Sequence, residues 1–207
     1  MTTVRRFPDK SAWREWVWSL MASTRSPSCD YLYLTEMVLE PDIDRAVACS
    51  HGFTSDQLVA VNDSEAHRPP GVPFRCGDLA TVVREWDGRP IGGVNGDFCG
   101  GMNSGISTMF PLLESGIPGR GTWWVFNILR GREEGMGKMS KVVGVTHRGV
   151  QAVQILGTRA LGTMMMSYVP QAHLDDYARR LRPRYAEYKS SGSEAKMDTV
   201  AFRMTLK

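Results

Sequence analysis

The stretch 91–132 constrains the fold more than any other part of the chain. Ile91-Gly92-Gly93-Val94 is short and apolar, and it runs into Asn95-Gly96-Asp97-Phe98-Cys99-Gly100-Gly101. That second piece is too polar and too rich in glycine to be expected inside a sheet. Residues 108–114 read as helical, and the glycines and proline of 115–121 close the helix. From Thr122 to Leu129 the chain is almost continuously apolar, which suits a strand buried on both faces of a parallel sheet. Open α/β sheets bind their ligands at the carboxyl ends of the strands. Asn95, Asp97, Phe98 and Cys99 would sit at such an end and are the first candidate site residues.

The rest of the chain extends this alternation. Trp13, Trp16, Val17, Leu20 and Met21 fall at helical spacing over 11–23, with Asp9 or Ser11 able to cap the helix. These tryptophans read as core or interface. Tyr31 to Leu34 reads as a strand. Pro41, Asp42 and Asp44 open a helix that Gly52 stops. Leu58 to Val61 is a further strand ending in Asn62-Asp63. Residues 72–76 suit an edge strand because Pro73 cannot donate to a ladder, and Gly77-Asp78 ends it. Leu79, Val82, Val83 and Trp86 mark the next helix. Near the C-terminus, 185–189 and 197–204 read as two strands around a Ser- and Gly-rich turn, with Val200, Phe202 and Met204 alternating at period two. The expectation is an α/β fold: one domain over 1–207, with a doubly wound, mostly parallel sheet that finishes antiparallel at one edge in a C-terminal hairpin. Residues 1–28 form an N-terminal helical extension, and 149–183 a helical segment before the hairpin.

Composition narrows the class without naming a function. Hydrophobic residues make up 42% and charged residues 23%, ordinary for a globular chain. No apolar stretch approaches the ~20 residues of a membrane helix, and no secretory pattern opens the sequence, so a cytoplasmic protein without a membrane partner is expected. The cysteines, Cys29, Cys49, Cys76 and Cys99, are widely spaced and form no CxxC pair, which disfavours zinc; they read mainly as small buried hydrophobes. His51, His67, His147 and His173 show no metal-ligand spacing and read as exposed or locally hydrogen-bonded. A net charge of +3 is too weak to indicate nucleic acid by itself. Two basic clusters could still meet phosphate: Arg130, Arg132, Lys138 and Lys141, and Arg179, Arg180, Arg182 and Arg184. A solvated helix face explains the second equally well.

Alternating units that end in a hairpin resemble the class I S-adenosylmethionine-dependent methyltransferase family, with its Rossmann-like fold, from about Tyr31 to the C-terminus. The resemblance implies S-adenosylmethionine as cofactor. It implies that Asp63, after the second strand of the unit, binds the ribose hydroxyls, because a carboxylate accepts two hydrogen bonds from a vicinal diol. It implies that Asp78 faces the adenine, and that Asn95, Asp97 and Phe98 meet the methyl acceptor, a nucleic acid or a small molecule. There Asp97 would orient the acceptor atom or take its proton, and Phe98 would stack on a planar group or pack. The family's first loop carries Gly-x-Gly. Here Leu34-Thr35-Glu36-Met37-Val38-Leu39-Glu40-Pro41 holds no glycine, so close backbone approach is hindered. Glu36 or Glu40 could hold the ligand's amino group instead, or could simply charge the following helix N-terminus, an effect of ~0.3–1 kcal/mol.

Two other classes remain open. Arg132-Glu133-Glu134-Gly135-Met136-Gly137 resembles the pyrophosphate turn of GNAT-type acyltransferases, which would imply coenzyme A held by backbone N–H groups. Alternatively, a scaffold without its glycine loop serves as a binding or assembly protein, with N-terminal aromatics and the 12 methionines marking an interface. Cys99 as a nucleophile would need a lowered thiol pKa and a nearby acid.

Overall fold

The computed structural model describes residues 4–35, 42–97, 121–129, 184–189 and 196–203. In chain order the elements are β1 (Val4–Phe7), α1 (Lys10–Ala22), β2 (Asp30–Leu34), α2 (Ile43–Ser50), β3 (Leu58–Asn62), β4 (Phe74–Cys76), α3 (Leu79–Arg84), β5 (Ile91–Asp97), β6 (Trp123–Leu129), β7 (Arg184–Lys189) and β8 (Lys196–Arg203). They build one eight-stranded mixed sheet in the order β1-β7-β8-β6-β5-β2-β3-β4. Only β8 runs antiparallel to its neighbours β6 and β7; every other pairing is parallel. The helical expectations for 108–114 and 149–183 lie outside the described residues.

The central strands are buried as their composition requires. Along β3, Leu58, Val59, Ala60 and Val61 are all buried, and so are Trp123, Trp124, Val125 and Phe126 along β6. One face of the sheet carries Tyr31, Tyr33, Leu58, Ala60, Trp123, Val125, Tyr188 and Ala201 into a single core with α1 and α2. On the other face Trp124 stacks on Phe126, with ring centroids 5.4 Å apart, and Phe126 meets Phe202. The chain returns from β4 to β5 in the direction opposite to β2→β3→β4. Right-handed crossover therefore sets α3 on the face opposite α2.

Helix α1 begins at Asp9, whose carboxylate accepts the Ala12 N–H at 2.9 Å. Trp13, Arg14, Trp16, Val17, Trp18, Leu20 and Met21 are buried, while Ser11, Glu15 and Ser19 form a narrow exposed line at i, i+4 and i+8. A helix enclosed on most sides lies between other elements rather than on the surface. The ring of Trp13 lies 5.0 Å from Tyr188, and Trp18 meets Phe53 edge-on at 5.4 Å. These tryptophans are thus internal and offer no interface, contrary to one of the sequence expectations. Tight seating is helped at Gly93, where a Cβ would lie 3.0 Å from both Met21 Sδ and Tyr31 Cδ1.

Three further expectations are corrected. The sheet does not finish at the hairpin: β1 pairs with β7, Val4 opposite Tyr185 through Phe7 opposite Tyr188, and forms the outer edge. The strand starting at Ile91 does not stop at Val94 but continues to Asp97, because Asn95 and Asp97 find polar partners instead of solvent. Cys49 and Cys76 are exposed, and Cys29 is half-buried. No helix among the described residues is long and apolar enough to cross a membrane.

Candidate functional site

The carboxyl ends of β2, β3, β4, β5 and β6 form one rim. The order of these strands turns back between β2 and β5: β3 and β4 lie to one side of β2, and β5 and β6 to the other. Such a switch point opens a crevice at the carboxyl ends, where ligands of α/β sheets bind.

On the β3–β4 side the rim is open. Asn62, the last residue of β3, donates from Nδ2 to the Thr35 carbonyl at 3.1 Å, and its Oδ1 accepts the Ser64 N–H at 2.9 Å. His67 Nδ1 lies 2.9 Å from the same oxygen. Gly77 N–H donates to Asn62 O at 2.8 Å, and Cys76 Sγ lies 3.6 Å from Asp63 O, so the ends of β3 and β4 are tied together. Asp63 follows at once, is exposed, and its carboxylate has no partner among the described residues. Asp78 is also exposed but is engaged as the N-cap of α3, accepting the Thr81 N–H at 3.0 Å. Its carboxyl is held below the ordinary range first by the Thr81 hydroxyl, against partial burial that raises it, and then by the Thr81 backbone N–H.

On the β5–β6 side the rim is covered by α1. Asp97 is 7% exposed, and its Oδ2 lies 2.6 Å from Lys10 Nζ, a charge contact rather than a well-aligned hydrogen bond. Asp97 Oδ1 accepts from Asn127 Nδ2 at 2.6 Å. The same amide nitrogen donates to the Tyr188 hydroxyl at 2.5 Å, and Asn127 Oδ1 accepts from Thr199 Oγ1 at 3.1 Å. This polar row has a simple origin in register: Asp97 stands opposite Asn127, and Asn127 opposite Thr199. Beside it lies a second buried group. Asp44 accepts from Arg14 Nε at 3.0 Å, from Trp18 Nε1 at 2.9 Å and, at a long 3.5 Å, from Asn95 Nδ2. Burial raises the Asp44 carboxyl; Arg14 and then the Trp18 N–H act in the opposite sense.

The sequence-predicted residues therefore fall into separate environments. Asp63 and Asp78 follow neighbouring strands on the open side. Asn95 and Asp97 lie on one face of β5, buried beneath α1. Glu36, Glu40, Phe98 and Cys99, and the whole of 132–137, lie outside the described residues. Sequence reasoning did not find Lys10, Arg14, Asp44, Asn127, Tyr188 or Thr199. Lys10 and Arg14, at i and i+4 of a tryptophan-rich helix, were the available signal. No group of three or more His, Cys, Asp or Glu side chains among the described residues could hold a metal ion.

No family model matches the chain, and no curated protein matches it. Among solved structures the chain is similar to a DUF574 family protein from Streptomyces avermitilis, with 11% identity and a TM-score of 0.45 over 93% of this chain and 83% of that one. A likeness this faint bears on neither ligand nor activity.

Proposed function

We propose that the chain is an S-adenosylmethionine-dependent methyltransferase whose cofactor lies across the carboxyl ends of β2, β3 and β4, beside the switch point between β2 and β5. The observation that carries this reading is Asp63. Its carboxylate is exposed directly after β3 and without a partner among the described residues. The other described carboxylates near this rim are engaged: Asp42 with Arg45 N–H and the Tyr33 hydroxyl, Glu65 with Arg68, Asp78 with Thr81, and Asp97 with Lys10 and Asn127. An ionised carboxylate accepts both hydrogen bonds of a vicinal diol, so Asp63 fits the ribose of the cofactor. The assignment of Asp78 to the adenine side rests on its place after β4. The assignments of Glu36 and Glu40 to the methionine part, and of Phe98 to the acceptor, rest on sequence order.

When bound, S-adenosylmethionine would supply an electrophilic methyl carbon. The chain's own contribution would be positioning and exclusion of water. Asn95 and Asp97 would hold the exit of β5. Because α1 covers Asp97 and both of its oxygens are engaged, its part would be to position the exit of β5 and not to touch the acceptor. The acceptor is a nucleic acid or a small molecule.

Calorimetric titration tests the reading. Saturable binding of S-adenosylmethionine is expected, weakened about 10- to 100-fold in Asp63→Ala, as loss of hydrogen bonds to a charged group implies. Tight binding of coenzyme A instead would favour the acyltransferase reading. Binding of neither would favour a non-catalytic binding or assembly protein. A steep fall of oligonucleotide affinity with salt is expected if the acceptor is a nucleic acid, because neutralised phosphates release counterions, and a flat response would argue against it.

A further inference from the structure

We infer that His67 is a second ribose-binding residue, whose Nε2 accepts a hydrogen bond from one hydroxyl of the nucleoside diol that Asp63 engages. The inference rests on the cofactor reading above and adds a residue that neither sequence order nor the resemblance supplied.

The argument starts from Asn62. Its amide can point only one way, since Nδ2 donates to the Thr35 carbonyl at 3.1 Å and Oδ1 accepts the Ser64 N–H at 2.9 Å. The atom facing His67 Nδ1 at 2.9 Å is therefore an oxygen, which can only accept. The Nδ1 atom must carry the proton. In the neutral imidazole that leaves the lone pair on Nε2, because the hydrogen bond of one ring nitrogen sets the state of the other.

Position completes the argument. Thr35 Oγ1 lies 3.5 Å from the His67 carbonyl, so the His67 backbone sits by the end of β2 while its ring is held at the end of β3. These are two adjacent strands, one of which borders the switch point. The ring is half-buried, and Nε2 has no partner among the described residues. Asn62, which orients the ring, immediately precedes Asp63. Two acceptors, a carboxylate and an imidazole nitrogen, thus stand by one strand end. A vicinal diol presents two donors.

The test deletes the two sides of the bond separately. S-adenosylhomocysteine and its 2′-deoxy and 3′-deoxy analogues are titrated into the full chain and into His67→Phe, which keeps a ring but removes the acceptor. S-adenosylhomocysteine is expected to bind His67→Phe about tenfold more weakly than wild type. With one of the two deoxy analogues the same substitution is expected to change affinity less than twofold. An equal loss for all three ligands marks a merely structural role and overturns the inference. No loss for any ligand also overturns it, while the methyltransferase reading stands. Failure of the wild-type chain to bind S-adenosylhomocysteine removes both. Should His67→Phe not fold, His67→Ala, which also removes the acceptor, is judged by the same comparison of hydroxylated and deoxy ligands.

Discussion

The two sides of the carboxyl rim carry similar residues and put them to opposite uses. After β3 and β4, Asp63 and Asp78 are exposed, and Asp63 has no partner among the described residues. On β5 and β6, Asn95, Asp97 and Asn127 occupy comparable positions along their strands yet are buried and bonded. The difference lies in α1, which lays Lys10 over Asp97 and Arg14 over Asp44. A polar residue at a strand end is thus no indicator of function until its cover is known. Under a helix it holds the fold together, and outside one it is available to a ligand.

The contrast can be broken most sharply on the covered side. Asp44→Ala removes the carboxylate that accepts from Arg14 Nε and Trp18 Nε1 in the interior, where the Asp44 and Arg14 side chains are only 7% and 5% exposed. Removing one member of such a pair destabilises by about 3–5 kcal/mol. Urea unfolding should show that loss, and a variant as stable as wild type would mean that α1 does not seat as described. Asp78→Ala should have an intermediate effect of about 1 kcal/mol, typical of a lost helix N-cap. Its pH dependence has a definite sign. The Asp78 carboxyl is held below its ordinary value in the folded chain. Its stabilisation is therefore complete above the unfolded value of about 3.9 and fades as pH falls through the lower, folded one. Wild type and Asp78→Ala should differ at pH 7 and converge as pH falls below the unfolded value in parallel denaturation curves. Smallest of all in stability is Asp63→Ala, expected within about 0.5 kcal/mol of wild type because the side chain is exposed and without a partner among the described residues. If Asp63→Ala melts with wild type and still loses cofactor, the division of the rim into holding and binding sides is sharpened. A large loss of stability would erase it.

Much of the sheet could be read in advance because its central strands advertise burial on both faces. Leu58 to Val61 and Trp123 to Phe126 are apolar without alternation, and both are strands covered above and below. The hairpin β7–β8 was likewise readable from period-two alternation. The N-terminal strand was not, since Val4-Arg5-Arg6-Phe7 has no apolar run. Its pairing is set by β7, far along the chain, and by the ion pair of Arg6 with Glu187 at 2.7 Å. The end of β5 was misjudged for a related reason. Glycine and polar residues at 95–97 look like a loop, and it takes distant partners, Asp44 for Asn95 and Asn127 and Lys10 for Asp97, to keep that stretch in the sheet. Pairings between distant residues leave no local trace. The candidate site was legible to the extent that it follows strand order, which located Asp63 and Asp78. It was illegible where tautomer and cover decide, as at His67 and Asp97.

One consequence follows from the edge position of β1. Among the described strands β1 pairs only with β7, which is made much later, and β7 joins the others only through β8. Domains fold as units during synthesis, so α1, tethered to that waiting strand, cannot seal the Asp97 side of the rim until nearly all of the described chain exists. Truncation within β8 would thus be expected to unroof residues about a hundred positions upstream.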